Sequence, residues 1–241
     1  MSTSISWKSS MPENEGIEGV VSPNTTEVVV VRHGETEWNA DGRIQGHLDV
    51  ELNDVGRKQA VAVAERLSME PKISIIYSSD LKRAHDTAET IARICGGLEV
   101  VKSQELRERH LGDLQGTVYR AAPTVCTKAY QAFVSNRRDQ EIPGGGESLD
   151  QLYERATSSV QTIAQRHRGQ RIVVVTHGGF IRSLHRKASA LRRSAGNIFN
   201  TSVNVLHISD DEWTIKTWGD VRHLDKMGFL ESGFGGDKTS G

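Results

Sequence analysis

Cysteine, net charge and long apolar runs are all scarce in this chain of 241 residues, and each scarcity removes a class of function. The two cysteines, Cys95 and Cys126, form neither a CxxC pair nor a disulfide framework. That usage suits a reducing compartment, and the expected location is the cytoplasm. Cys95 continues a helical apolar stripe and reads as a small core residue. The 30 basic residues nearly cancel the 31 acidic ones and leave a net charge of −1. Neither nucleic acid nor an anionic membrane is therefore expected as a partner. No stretch approaches the ~20 apolar residues of a membrane span. An apolar secretory segment is missing, and no arginine precedes Arg32; with Glu13, Glu15 and Glu18 this argues against an organelle transit peptide. GxxxxGK(S/T), GxGxxG, GxSxG and HExxH are all absent. The tail Gly235-Gly236-Asp237-Lys238-Thr239 has Asp between Gly and Lys and no strand before it. No cofactor is called for, there is no internal repeat, and nothing sets an oligomeric state.

What is present centres on Arg32-His33-Gly34-Glu35-Thr36-Glu37-Trp38-Asn39, directly after Val28-Val29-Val30-Val31. Four successive valines bounded by polar residues read as a strand buried on both faces. Residues 1–26, rich in Ser, Thr, Asn, Glu, Gly and Pro, read as a disordered leader; 27–224 form one folded domain; 225–241 read as a disordered tail. After a Gly-rich loop at 41–47, a helix is expected with Asn53 as its cap and Ala60, Val63, Ala64 and Leu67 on one face. Ile73–Tyr77 reads as the second strand, with Ser78-Ser79-Asp80 as cap residues for a helix carrying Leu81, Ala84, Ala88, Ile91, Ala92 and Cys95. Leu98–Val101 is a shorter third strand, and Val125–Val134 is compatible with helix. Ser148-Leu149-Asp150-Gln151 matches a capping box, followed by a helix with a clean apolar face. Ile172–Val175 is another non-alternating strand, ending in Thr176-His177-Gly178-Gly179 with a helix from Phe180. Residues 203–208 and 213–218 read as a strand pair across Asp210-Asp211. Strands alternating with helices, several continuously apolar, predict an α/β fold: a three-layer α/β/α sandwich with a mainly parallel central sheet.

Three of these strands release reactive residues just past their carboxyl ends: Arg32-His33-Gly34, Ser78-Ser79-Asp80 with Arg83 in the next helical turn, and His177-Gly178-Gly179. If the strands are parallel neighbours, two histidines and two arginines converge on one sheet edge, where open α/β sheets bind ligands. Helix N-termini there add free N–H groups, and two guanidiniums add bidentate donors that match phosphate oxygens. As metal ligands the histidines lack carboxylate partners at short spacing, and adjacent arginines repel a divalent cation. A neutral imidazole can instead attack phosphorus and carry the phosphoryl group covalently. The leaving alkoxide then needs a proton from a carboxylic acid, for which Glu105, Glu108 and Asp113 are candidates that spacing alone does not separate. A Ser-His-Asp triad finds no serine that the sequence singles out.

These motifs resemble the histidine phosphatase superfamily in its phosphoglycerate mutase-like branch. The resemblance rests on the octapeptide, Tyr77-Ser78-Ser79-Asp80-Leu81-Lys82-Arg83-Ala84, Leu106-Arg107-Glu108 with Gly112, Gly146-Glu147-Ser148 and Thr176-His177-Gly178-Gly179, spread over residues 27–224. It implies that His33 is the phosphorylated nucleophile and that Arg32, Arg83 and His177 hold the phosphoryl group, helped by Asn39 and the Gly178 backbone. It selects Glu108 as proton donor and later as base for water, and lays Gln45 and Gly46 over the substrate. Trp38, Leu81 and Ala84 are read as packing, and His47, His85, His110, His167, His185 and His207 as surface or core residues.

Members of this family either give the phosphoryl group to water or return it to another hydroxyl of a phosphoglycerate. The glycolytic mutases carry a longer insertion between the acid and the second histidine. Here Glu108 and His177 are 69 residues apart (108 to 177), as in the more open phosphatases. An open pocket admits water to compete for phosphohistidine. Arg137-Arg138 lies where mutases place basic residues for a substrate carboxylate, or is a solvated loop pair. The expected activity is a phosphomonoester hydrolase acting on a small phosphorylated metabolite, with a cofactor-dependent phosphoglycerate mutase as the alternative. A non-catalytic phospho-ligand sensor is disfavoured, since binding alone requires no acid.

Overall fold

The valine run is the central strand of the sheet, and its four side chains divide the protein into layers. In the computed structural model, which describes residues 22–189 and 194–225, β1 (Thr26–Arg32) pairs in parallel with β4 (Arg171–Thr176) on one side. On the other side it pairs antiparallel with β5 (Val203–Ser209). β2 (Ile76–Ser79) and β3 (Val100–Ser103) extend the parallel part, and β6 (Glu212–Asp220) closes the far edge, giving the order β3-β2-β4-β1-β5-β6. Successive strand side chains point to opposite faces. Val28, Val30, Ile172 and Val174 accordingly enter one apolar core, and Val29, Val31, Val173 and Val175 enter the other.

Helices α2 (Asp54–Ser68) and α3 (Lys82–Ile94) cover the second core, while α6 (Leu149–Arg166) and α7 (Gly178–Ala188) cover the first. The result is the expected three-layer sandwich with a mainly parallel sheet. The short helix α1 (Glu37–Ala40) follows β1, and α4 (Ala122–Val125) and α5 (Thr127–Phe133) lie in the long connection from β3 to α6. That connection is otherwise built of 3-10 turns around a small third core of Ile44, Leu111, Leu114, Ala122, Ala129 and Ile142. Among the described residues no helix is long and apolar enough to cross a membrane. Most of the expected leader and tail lies outside the described residues; β1 starts at Thr26, and the last described residue is Asp225.

Local signals were honoured where they are local. Asn53 Oδ1 accepts from Gly56 N at 2.8 Å, and Ser148 and Gln151 exchange both bonds of the capping box at 3.1 and 2.7 Å. Three expectations shift. β2 starts three residues later than the apolar run Ile73–Tyr77 and ends two residues further, so Ser78 and Ser79 belong to the strand and not to a helix cap. Helix α3 begins after Leu81 with no side-chain cap of its own; Lys82 N donates to Asp49 Oδ1 at 2.7 Å, from a loop 33 residues earlier. Helix α7 starts at Gly178, two residues before Phe180.

Candidate active site

Parallel pairing of β1 with β4 puts Arg32 level with Thr176, so the residues that follow, His33 and His177, leave the sheet side by side. Their rings lie 5.1 Å apart, tilted by 59°. β2, on the other side of β4, ends at Ser79, and Arg83 follows in the first turn of α3. The predicted convergence of two histidines and two arginines is thus a property of the sheet order. Arg32, His33, Arg83, His177 and Glu108 are each no more than 9% exposed.

The backbone of His33 is held on all sides. Its N–H donates to Thr176 O at 3.0 Å, and its carbonyl accepts from Asn200 Nδ2 at 3.0 Å and from Thr201 N at 3.3 Å. Gly34 N donates to Thr87 Oγ1 on α3 at 3.1 Å. Gly34 must be glycine because α2 approaches it directly: an added Cβ would stand 2.5 Å from Gly56 O. The His33 ring is fixed through Nδ1, 2.7 Å from Gly34 O. A carbonyl only accepts, so Nδ1 carries the proton and Nε2 keeps its lone pair. Burial, then the charges of Arg83 and Arg32, hold the imidazole well below its ordinary pKa, against the Gly34 bond. It is neutral at pH 7.

His177 is also pushed well below its ordinary value, by burial and then by Arg83, His33 and Arg32. Its Nε2 lies 2.8 Å from Ser79 Oγ, and Ser79 Oγ also accepts from Leu81 N at 3.3 Å. A serine hydroxyl that donates to Nε2 leaves the proton of His177 on Nδ1. Among the described residues Nδ1 has no partner, although it is buried.

Both arginines donate to backbone carbonyls, which orient each guanidinium. Arg32 Nη1 donates to Ile198 O at 2.6 Å; Arg83 donates to Leu48 O at 2.8 Å and to Gly46 O at 2.7 Å. Burial lowers Arg83 to about 10, still cationic at neutral pH. Buried charge is costly unless matched. Two guanidiniums beside two neutral histidines at a helix N-terminus make a site that favours an anion.

Glu108 approaches from the β3–α6 connection, its Oε1 accepting from Arg109 N at 2.8 Å and its Oε2 from Gly179 N at 3.0 Å. The second bond ties the carboxylate to the first turn of α7, which follows His177. Asn39 is buried and caps α1, accepting from Thr36 N and, at 3.4 Å, from Asn200 Nδ2. Gln45 is buried, with an Oε1 that finds no partner among the described residues. Gly46 has a φ of +53°, and its carbonyl holds Arg83. Gly178 is the first residue of α7. Arg137 is ion-paired to exposed Asp139 at 2.8 Å and Arg138 to Asp150 at 2.9 Å, so in this conformation both are engaged on the outer loop.

Sequence reading missed Thr87, Asn200, Thr201 and the pairing of Ser79 with His177; it also left His47 among surface and core residues. Ser79 alone carried a signal, its place just past the apolar run Ile73–Tyr77. His47 Nε2 lies 2.6 Å from the Glu108 carbonyl oxygen.

The family model for the histidine phosphatase superfamily (branch 1) matches residues 28–221. The chain belongs to that superfamily. It is 63% identical over 216 residues to Phosphoglycerate mutase-like protein 4 of Arabidopsis thaliana, covering 89% of this chain and 94% of the relative. It is 51% identical over 217 residues to the Metal-independent phosphoserine phosphatase of the same plant, covering 90% and 91%. Among solved structures, the Phosphoserine Phosphatase from Entamoeba histolytica in complex with 3-Phosphoglyceric Acid superposes with a TM-score of 0.72 at 27% identity, over 83% of this chain and 99% of that one. Membership makes the chain an enzyme of phosphoryl transfer, and its relatives favour a phosphatase over a mutase.

Proposed function

We propose that this protein hydrolyses small phosphomonoesters that carry a carboxylate, of the phosphoserine and phosphoglycerate type, through a phosphohistidine at His33. The observation that carries the reading is the bond from His33 Nδ1 to Gly34 O, because it leaves a neutral, lone-pair-bearing Nε2 in a pocket of two buried guanidiniums. Nε2 attacks phosphorus, forming an N–P bond as the ester P–O bond breaks. Arg32, Arg83 and His177 Nδ1–H stabilise the transferring oxygens, with Asn39 and the Gly178 N–H as further donors. Glu108 gives its proton to the leaving oxygen. As carboxylate it then takes a proton from water, whose oxygen attacks phosphorus while the N–P bond breaks, releasing inorganic phosphate. Gln45 and Gly46 line the substrate side. Arg137 and Arg138 serve the carboxylate by leaving Asp139 and Asp150, a small cost because solvent screens exposed ion pairs. The enzyme works in the cytoplasm in this reading, where two free thiols are stable.

A substrate class with a carboxylate is supported by the names of the phosphatase relatives in Arabidopsis and Entamoeba. The mutase alternative is favoured by the name of the 63% identical relative and by relatives of 33–34% identity named Probable phosphoglycerate mutase GpmB. The test is phosphate release from a panel of phosphomonoesters including phosphoserine, run beside conversion of 3-phosphoglycerate to 2-phosphoglycerate. Hydrolysis should dominate; isomerisation faster than phosphate release would overturn the assignment.

A further inference from the structure

We propose that His47 is a positioning residue for the proton-donating carboxyl group of Glu108, acting through the backbone of that residue. The proposal rests on Glu108 being the acid, and its test separates the two.

The Glu108 carbonyl oxygen receives two donors, His47 Nε2 at 2.6 Å and Arg155 Nη2 at 3.0 Å. Because a carbonyl only accepts, His47 must carry its proton on Nε2, and both lone pairs of the oxygen are used. The peptide plane at Glu108 is thereby fixed, and with it the direction of the side chain. The two donors have different supports. Arg155 is anchored by the Glu147 carboxylate at 2.8 Å and by the Glu105 and Arg107 carbonyls, each also at 2.8 Å. His47 is anchored by its own N–H, which donates to Gln115 Oε1 at 2.7 Å, and by the His110 ring, edge-on at 4.8 Å.

His47 also stands between the two carbonyls, Gly46 O and Leu48 O, that hold the guanidinium of Arg83. A single three-residue loop therefore grips the phosphate-holding cation with its flanks and the acid with its centre. The loop cannot shift freely: a Cβ at Gly46 would lie 2.1 Å from Gln115 Oε1, the atom that holds His47 N. Such coupling matters because displacing a catalytic group by about 1 Å costs up to about 100-fold in rate.

The experiment compares first-turnover rates on an alkyl ester, phosphoserine, and an aryl ester, 4-nitrophenyl phosphate, by rapid mixing. The aryl leaving group needs no proton, so only the alkyl reaction depends on the acid. Glu108→Gln serves as the reference and should slow phosphoserine far more than the aryl ester. His47→Ala should show the same selectivity, at least about ten-fold on phosphoserine and less than about three-fold on the aryl ester. His47→Gln, which offers an N–H at the reach of Nε2, should restore most of the loss. If Glu108→Gln is selective but His47→Ala slows both esters alike, or neither, the positioning role is overturned. If Glu108→Gln itself treats the two esters alike, the assignment of the acid fails and this proposal goes with it.

Discussion

The hydrogen bond from His33 Nδ1 to the carbonyl oxygen of Gly34, 2.7 Å within one dipeptide, leaves Nε2 as the nitrogen free to act as the proposed nucleophile. It explains why a histidine, rather than another base, can follow the central strand here. The ring is pinned by the chain next to it, while the neighbouring strand fixes the backbone through Thr176 O.

Replacing that ring removes the reacting atom. His33→Ala should lower turnover by more than about 1,000-fold and abolish acid-labile phosphate on the protein after quenching with substrate. Intact-mass measurement of the quenched wild type and variant checks the bound phosphate, and phosphate release checks the rate. Undiminished hydrolysis by His33→Ala would end the covalent mechanism.

The second histidine depends on a partner 98 residues away. Ser79→Ala removes the hydroxyl that meets His177 Nε2 and frees the ring to place its proton on the wrong nitrogen. We expect kcat/KM to fall about ten-fold, some 1.4 kcal/mol, comparable to one hydrogen bond in the transition state. Ser79→Thr, which keeps the hydroxyl, should lie nearer the wild type. Equal rates for Ser79→Ala and wild type would show that the tautomer of His177 is set elsewhere.

The contrast between these histidines and their supports shows what the chain declares locally. The valine run, the Asn53 cap and the Ser148–Gln151 box are written in adjacent residues, and each formed as read. The reactive residues were legible for a related reason: each follows an apolar strand, and parallel order brings strand ends together. Their supports come from distant positions and leave no periodicity. Asn200 reaches His33 across 167 residues, and Asp49 caps α3 from another loop. Thr201 takes a φ of +55°, rare for a β-branched residue, and points its N–H at Arg32 O and His33 O. Nothing in its neighbours announces this strain; only the docked β1 makes it worthwhile. In the connection 104–147 only the helix expected at 125–134 was legible, and it forms as α5; the short 3-10 turns around it have no amphipathic period.

Close approach of α2 to the segment after His33 gives a stability test. A Cβ on Gly56 would stand 2.0 Å from Glu35 O, a backbone atom that cannot swing aside. Alanine gains about 1 kcal/mol of helix propensity over glycine. Overpacking against backbone typically costs 1–3 kcal/mol or more, so the clash should win. Gly56→Ala should lower Tm by several degrees in a thermal melt. A Tm at or above the wild-type value would mean that α2 can withdraw without loss.

Chelation should do nothing. Among the described residues no cluster of three or more His, Cys, Asp or Glu is arranged to hold a metal ion, and the histidines of the pocket face two guanidiniums. A cation there would be repelled. Rates in excess EDTA should equal those in magnesium-containing buffer. Strong inhibition that added metal reverses would return the histidines to a ligand role.

The buried histidines also set how stability responds to acid. Burial, followed by neighbouring arginine charge, lowers His33 and His177 well below 6.5. Burial lowers His47 to about 4, and burial with Arg66 lowers His223 to about 4. In this window the unfolded chain binds more protons than the folded one, so folding stability rises with pH. The histidine contribution is therefore complete above about pH 6.5 and is lost as pH falls through the folded values. Carboxylates act lower down. Asp80 is held below its usual range by the Arg107 hydrogen bond; Glu147 is held there by Arg155 against the raising effect of burial. Their contribution is present above about pH 4 and is lost beneath it. Thermal melts should thus show Tm declining steadily from pH 7 to pH 4.5, before the carboxylates titrate. Saturating inorganic phosphate, by screening Arg32 and Arg83 from the two active-site rings, should make that decline shallower. His223→Gln should also flatten it. A Tm that stays constant or rises over this interval would show that these imidazoles are not held neutral by the fold.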